Sequence, residues 1–329
     1  MKKGKLNFAW AVCMAVTATC LLSPGIKKSS PLHESWWKDF AAITVSANTT
    51  ENVELKEGVD DDVGGTCGTD VSWKLSDGVL TISGTGSMTN WSSSSAVPWD
   101  DYKSSITSAV IESGVTTIGN NAFYNCSSLV SVSLPDSLTA VGSNAFRSCS
   151  NLASVKLPDG LTSIGSYAFR ECKLIEEVRI PAGVTSVSSS NPFYQCTGLK
   201  KVTFASGMTK VPAYVCQNMT ALTTVEYEDA SKITSIGNNA FYNCSSLTEA
   251  PIPDTVTEIG NNAFQSCSSL TSVSLPDSLT RIGSYAFREC SLFKEVRIPA
   301  GITSVSSSNP FYQCTDLKKV TFASGMTKV

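Results

Sequence analysis

Between Ile118 and the C-terminus one short phrase returns nine times. Its fullest copies read L-x-x-V-x-L-P-x-x-L-T-x-I-G-x-x-A-F-x-x-C. The anchor position holds Phe123, Phe146, Phe169, Phe193, Cys216, Phe241, Phe264, Phe287 and Phe311, at spacings of 23, 23, 24, 23, 25, 23, 23 and 24 residues. A chain that repeats at this interval folds as one supersecondary unit stacked on copies of itself, because a single unit cannot bury its own apolar face. A solenoid is therefore expected. The length of 329 residues, which otherwise suggests two globular domains, loses its meaning as a domain count.

The unit from Leu129 to Cys149 shows how one coil reads. Val132 and Leu134 alternate with Ser131 and Ser133, a short strand with one buried face. Pro135-Asp136 turns the chain, and Leu138 and Val141 are the next inward residues. Gly142 is expected to take a positive φ in a tight turn. Asn144 is expected to cap a short helical turn carrying Ala145, Phe146 and Cys149. The fold class is thus an α/β, mostly β, solenoid with repeats of about 23 residues.

Twelve cysteines in an exported chain ordinarily signal disulfides. Here Cys126, Cys149, Cys172, Cys196, Cys244, Cys267, Cys290 and Cys314 each follow the anchor by three residues, one per coil. Adjacent coils carry such side chains on parallel Cβ vectors, a poor geometry for a disulfide. Met219 takes the same position where Cys216 replaces Phe. The column therefore reads as space-filling reduced thiols. A second level of repetition lies above the first. Residues 114–211 match residues 232–329 at an offset of 118 with about three-quarters identity, and Leu199–Val211 is identical to Leu317–Val329. The chain stops partway through a coil, so a truncated product or a further downstream region is expected.

Four regions follow. Residues 1–25 have export grammar: Lys2, Lys3 and Lys5 precede the apolar run Leu6–Leu22, closed by Pro24-Gly25. They form a signal peptide or a signal anchor, with Val16-Thr17-Ala18 and Val45-Ser46-Ala47 as alternative cleavage sites. Residues 26–64 read as a flexible acidic linker. Residues 65–105 alternate as strands on either side of Ser76-Asp77-Gly78, a hairpin placed to cap the first coil with Trp73, Trp91, Trp99 and Tyr102. Residues 106–329 are the solenoid.

The repeated phrase resembles the BspA-like, or Treponema-type, leucine-rich repeat of bacterial cell-surface proteins, over residues 106–329. The stretch from Gly65-Thr66-Cys67-Gly68 to Trp73, with Leu80 to Gly86, resembles a leader module that precedes such repeats in secreted bacterial proteins. The resemblance implies a curved, right-handed leucine-rich-repeat solenoid with a parallel sheet, display at the cell surface, and adhesion to host extracellular proteins or to other bacteria. Three departures stand out: Cys216 for Phe, Pro251 inside a strand, and the abrupt end. Pro251 brings no N–H to a ladder and marks an expected local weak point.

The chemistry points the same way. The only histidine is His33, ahead of the repeats, so His-based triads have no place in the solenoid. Asp60-Asp61-Asp62 lacks the ligand spacing of a calcium loop, and no metal or cofactor is expected. Leu134-Pro135-Asp136-Ser137 and Leu157-Pro158-Asp159-Gly160 lack the Thr-Gly of a wall-sorting signal and recur at strand ends, so they are turns. A net charge of −3 argues against nucleic acid. What remains is the row of outward residues on the sheet face. Its candidate ligand-binding charges are Glu177, Arg179, Lys201, Glu226, Glu295, Arg297 and Lys319. Tyr124, Tyr167, Tyr194, Tyr242, Tyr285 and Tyr312 form a second candidate surface, or pack between coils. The expected function is adhesin-type binding of a host or bacterial extracellular protein or glycan, by a non-enzymatic protein that meets the membrane only through its export signal or anchor. The alternative is a structural spacer that displays a further domain.

Overall fold

The computed structural model describes residues 63–305 and 308–325. The export-signal reading, nearly all of the acidic-linker reading and His33 fall outside the described residues. The described part opens with a hairpin: Val71–Ser76 pairs antiparallel with Val79–Gly84. Asp77 and Gly78 between them have φ of 49° and 76°, the doubly left-handed turn that matches the twist of two-residue hairpins. Val63–Thr66 lies antiparallel on the outside. On its other edge Val79–Gly84 pairs parallel with Ser108–Ile111, so the hairpin hands its hydrogen-bonding edge to the first coil.

From there two parallel ladders run side by side. One continues through Ser131–Ser133 and resumes as Glu177–Ile180, Lys201–Phe204 and Thr224–Tyr227, then as Glu295–Ile298 with Lys319–Phe322. The other runs through Val115–Ile118, Ala140–Val141 and Ser163–Ile164, then from Lys210–Val211 through Ser235–Ile236, Glu258–Ile259 and Arg281–Ile282 to Ser304–Val305. The recurrent threonine of L-T-x-I tightens this second ladder. Thr139, Thr162, Thr257 and Thr280 each donate a hydroxyl to the threonine carbonyl one coil earlier, at 2.9–3.1 Å. The first ladder is interrupted at Pro251, where the one regular contact is a Glu249–Ser272 bridge. The Tyr227 hydroxyl donates to the Pro251 carbonyl at 2.7 Å and closes part of that gap. A second interruption, at residues 153–157, has no such proline to explain it.

The third side corrects two expectations. No helical turn forms around the anchor, and Gly142 does not take a positive φ. The left-handed residues are instead Asn144 and Ser148, at φ 54° and 61°, four apart. The pattern recurs at Asn121 and Asn125, Tyr167 and Glu171, and Tyr285 and Glu289. This backbone sends alternate N–H groups along the solenoid axis. Asn144, Phe146 and Ser148 donate to the Ser166, Ala168 and Arg170 carbonyls of the next coil at 2.7–2.9 Å. The intervening Ala145, Arg147 and Cys149 N–H groups close turns within their own coil. A helix would spend its N–H groups internally and leave neighbouring coils unbonded on this side. Asn144 caps nothing; its side-chain oxygen is buried without a partner.

Glycine is required at 142 for another reason. A Cβ there lies 2.6 Å from the Asn120 nitrogen and 2.7 Å from the Gly119 carbonyl carbon. Gly165, Gly260 and Gly283 meet the backbone of the preceding coil as closely, at 2.4–2.6 Å. The coils approach nearest at this corner. Beside it, Asn120, Asn238 and Asn261 side chains accept from the Ser143, Asn261 and Ser284 N–H groups at 2.7–2.9 Å.

The core is a set of columns. The anchor phenylalanines stack with centroids 4.9–5.6 Å apart and interplanar angles of 5–11°. Trp99 of the capping unit starts the column, 5.9 Å from Phe123. Its indole N–H donates at 2.8 Å to the Ala122 carbonyl, which in later coils accepts from a preceding Phe N–H. Where Cys216 breaks the column, bulk comes from the strands: Phe204 stacks on Tyr227 at 5.4 Å and meets Phe241 edge-on at 6.4 Å.

All ten described cysteines are free thiols, nine of them buried. Seven column thiols donate to a backbone carbonyl of the preceding coil at 3.0–3.1 Å, usually that of the anchor Phe. Burial pushes the Cys126 and Cys196 thiols up to about 12, and Cys149, Cys244 and Cys267 well above their ordinary value.

Two predictions follow from these columns. Gly142→Ala forces backbone apart and is expected to lower the unfolding free energy by about 1–3 kcal/mol. Gly160→Ser, which installs the residue found at the matching Ser278, is expected to change it by less than about 0.5 kcal/mol. Chemical denaturation of the two variants measures the contrast. For the thiols, the neutral form is favoured by folding, so their contribution is fully present below the ordinary value of 9.0. Above it the unfolded chain ionises first, and stability falls as pH rises toward the folded values. Iodoacetamide at pH 8 is expected to label Cys314 first and the other column thiols only after denaturant is added. Fast labelling of Cys149 in the folded chain contradicts this packing.

Candidate interaction surfaces

Strand alternation places the candidate charges. Val178, Ile180, Val202 and Phe204 fill the core, so Glu177, Arg179, Lys201 and Thr203 point away from it. Parallel pairing sets Arg179 beside Thr203 and Thr203 beside Glu226, across three consecutive coils. The charges do not stand free. The Arg179 guanidinium grips both oxygens of Glu228, at 2.5 and 3.0 Å, and donates its remaining arm to Asp159 at 2.5 Å. The Glu228 carboxylate also accepts the Ser206 N–H at 2.9 Å. Bonding to Arg179, then to Ser206, holds its pKa down at about 2. Lys201 pairs with Glu226 at 2.8 Å, a partner that raises the lysine's pKa. Glu177 remains exposed beside them.

The second copy differs. Arg297 has one carboxylate, Asp277 at 2.7 Å, and is 53% exposed where Arg179 is 37%. Lys319 turns back to Glu295 at 3.3 Å. The sequence reading named the cations and several of their acids but passed over Asp159 and Glu228. Their separations from Arg179, 20 and 49 residues, are close to one and two coils, and that spacing was the available signal.

The tyrosines occupy the turn side. There the residue after the anchor is planar in all nine coils: Tyr124, Arg147, Arg170, Tyr194, Gln217, Tyr242, Gln265, Arg288 and Tyr312. Arg170 sits between Tyr167 and Tyr194, 5.3 and 5.2 Å from the ring centres. Arg288 sits likewise between Tyr285 and Tyr312 at 5.4 Å, and Arg147 lies over Tyr124 at 5.3 Å. Tyr167 also packs 5.9 Å from Tyr194, and Tyr285 6.1 Å from Tyr312. These rings pack between coils and are partly occupied by arginine from the same chain. Among the described residues, no group of three or more His, Cys, Asp or Glu is placed to hold a metal ion. Among the described residues no helix is long and apolar enough to cross a membrane.

Residues 101–223 and 209–329 match the BspA type leucine rich repeat region, in six copies. The chain belongs to the BspA type leucine-rich-repeat family. Among solved structures it is similar to a leucine-rich repeat protein from Eubacterium ventriosum, with 18% identity over 79% of this chain and 84% of that one and a TM-score of 0.49. It is also similar to a leucine rich cell surface protein from Faecalibacterium prausnitzii, with 23% identity over 80% and 96% and a TM-score of 0.35. The pneumococcal vaccine antigen PcpA shares 15% identity over 80% and 82%, with a TM-score of 0.44. No curated protein sequence matches the chain. In this BspA type chain the sheet face is a row of short polar groups with two charge clusters, and the clearest difference between the clusters is the number of carboxylates around the arginine.

The clamp on Arg179 makes a direct prediction. In glutamate-labelled protein the Glu228 carboxyl is expected to titrate near pH 2 by NMR and to return to the usual carboxylate range in Arg179→Ala. Its contribution to folding is present above the ordinary carboxylate pKa and is lost as pH falls toward 2. An unchanged Glu228 titration in Arg179→Ala contradicts the pairing.

Proposed function

We propose that this chain is a secreted or surface-exposed bacterial binding protein of the adhesin type, acting through the sheet face of its solenoid on an extracellular macromolecule of a host or of another bacterium. The supporting observation is that the family match spans the same residues that form the ladder carrying that face. Ladder and core hold the outward side chains at fixed intervals, which lowers the ordering cost when a large partner is engaged. Arg179, Lys201, Arg297 and Lys319 supply the cationic contacts in this reading, with Glu177, Glu226 and Glu295 between them. It is a binding role rather than a catalytic one, since a row of paired surface charges assembles no nucleophile with its base.

Pull-down of extracellular-matrix and mucin components with the chain tests the reading. Capture of a component is expected, with binding weakened by salt and reduced at least about tenfold by Arg179→Ala with Arg297→Ala, the range for lost charged contacts. Capture that is indifferent to both substitutions overturns the sheet-face assignment. Failure to capture any component, together with absence of the protein from the cell surface and medium, overturns the adhesin reading.

A further inference from the structure

On the turn side, one frame of two tyrosines around a central side chain recurs. Arg170 lies between Tyr167 and Tyr194, and Arg288 between Tyr285 and Tyr312, with each guanidinium 5.2–5.4 Å from the ring centres. A third frame sets Tyr214 and Tyr242 around Gln217. The backbone is alike in all of them. The central N–H donates to the tyrosine carbonyl three residues before it, from Arg170 and Arg288 at 3.0 Å and from Gln217 at 3.2 Å. The next N–H donates to the tyrosine carbonyl of the following coil, from Glu171 and Glu289 at 3.0 Å and from Asn218 at 2.7 Å. The leading tyrosines Tyr167, Tyr214 and Tyr285 share a left-handed backbone, with φ of 57°, 64° and 55°.

The side chains differ. In the first two frames a carboxylate and an amide receive the arginine: Glu171 and Gln195 for Arg170, Glu289 and Gln313 for Arg288. In the third frame those positions are Asn218 and Asn243, whose amides bond each other at 3.0 Å. Among the described residues, Tyr214 and Tyr242 are the tyrosines with neither a ring nor a cation against their own rings. Both are half-buried, so part of each ring meets solvent. Charge is absent around them: in the turns that begin at Tyr214, Asn239 and Asn262, these positions hold only tyrosine, amide or serine side chains.

We propose that the turn face at Tyr214, Gln217, Asn218, Tyr242 and Asn243 binds a neutral sugar unit of an extracellular glycan. A pyranose ring has an apolar face of C–H groups and a rim of hydroxyls. The tyrosine rings cover the apolar face, as amphipathic aromatics do at sites that are apolar on one side and wet on the other. The Asn218–Asn243 pair uses one donor and one acceptor on itself and keeps further N–H and C=O sites for the hydroxyls, beside those of Gln217. A guanidinium from a partner is the competing occupant, because the other frames hold one. It fits less well, since the carboxylate that receives it there is Asn218 here. Bonds from the Tyr214, Cys216 and Asn218 N–H groups to the next coil, at 2.7–3.0 Å, fix the frame before a ligand arrives. The site lies apart from the sheet face and stands whether or not that face binds.

The probes are cellohexaose, maltohexaose and the tetramer of N-acetylglucosamine, each titrated into the full chain by isothermal calorimetry, with hexa-arginine as the cationic alternative. Saturable binding of at least one sugar is expected. Gln217→Arg with Asn218→Glu rebuilds the arginine-filled frame of the other turns, and is expected to weaken that binding at least about tenfold, as is Tyr214→Ala with Tyr242→Ala. Lys173→Ala, an exposed lysine on another coil, is expected to leave it unchanged. An unaltered denaturation midpoint establishes that the filled-frame variant is folded. Binding of none of the sugars, sugar binding that survives the filled frame, or tighter binding of hexa-arginine that the tyrosine substitutions abolish overturns the proposal. The pull-down with sheet-face variants reads a different surface, so the two sites fail separately.

Discussion

Everything in this molecule depends on the distance at which one coil can rest on the next. Parallel strands hydrogen-bond at about 4.7–4.9 Å. The chain adopts that spacing in two ladders and, less expectedly, on the turn side as well. There, left-handed residues four apart aim alternate N–H groups at the next coil. With all three sides bonded between coils, the stack cannot open at one side without losing backbone hydrogen bonds. A side chain at any given position of the repeat must then be one that tolerates a copy of itself about 5 Å away, as the rings of the anchor column do.

That requirement selects residue types. Phenylalanine satisfies it by stacking nearly parallel rings, an arrangement worth about 0.5–1.5 kcal/mol per pair beyond burial. Glycine satisfies it where the corner leaves no volume for a Cβ. Asparagine and threonine satisfy it by bonding the backbone of the neighbouring coil instead of their own counterparts. Cysteine belongs to the same set. Its thiol points at the carbonyl of the preceding coil and turns a hydrophobic filler into a weak donor. A serine there makes a stronger hydrogen bond but fills less space in a close-packed column.

This also explains what could be read from the letters. The period, the inward set, the free-thiol column and the Asp-Gly hairpin were legible because each is a repeat or a local signal. The conformation around the anchor was not. Gly142 and Asn144 stand in an order that suits a tight turn followed by a helix cap, and the sequence offers no local clue that φ is positive at the asparagine and not at the glycine. The deciding contact is the preceding coil's backbone at Asn120 and Gly119, some twenty residues earlier. The partners of Arg179 were missed for a related reason. Asp159 and Glu228 lie near it only because one and two coils of chain return to the same edge.

The charge clusters show how a duplicated surface acquires two different states. Arg179 and Arg297 sit in nearly identical sequence, on strands of identical pattern, with the same aspartate one coil before. What differs among the described residues is the set of carboxylates that reaches each arginine. In the first copy a strand bearing Glu226 and Glu228 saturates both cations, so a partner acting there must displace a carboxylate already bound in a bidentate fork. In the second copy the arginine is more exposed and holds one carboxylate. Exposed ion pairs contribute little to stability, so neither arrangement decides the fold. The repeat thus makes the two faces alike in construction, and the carboxylates that neighbouring coils bring set how each arginine is paired.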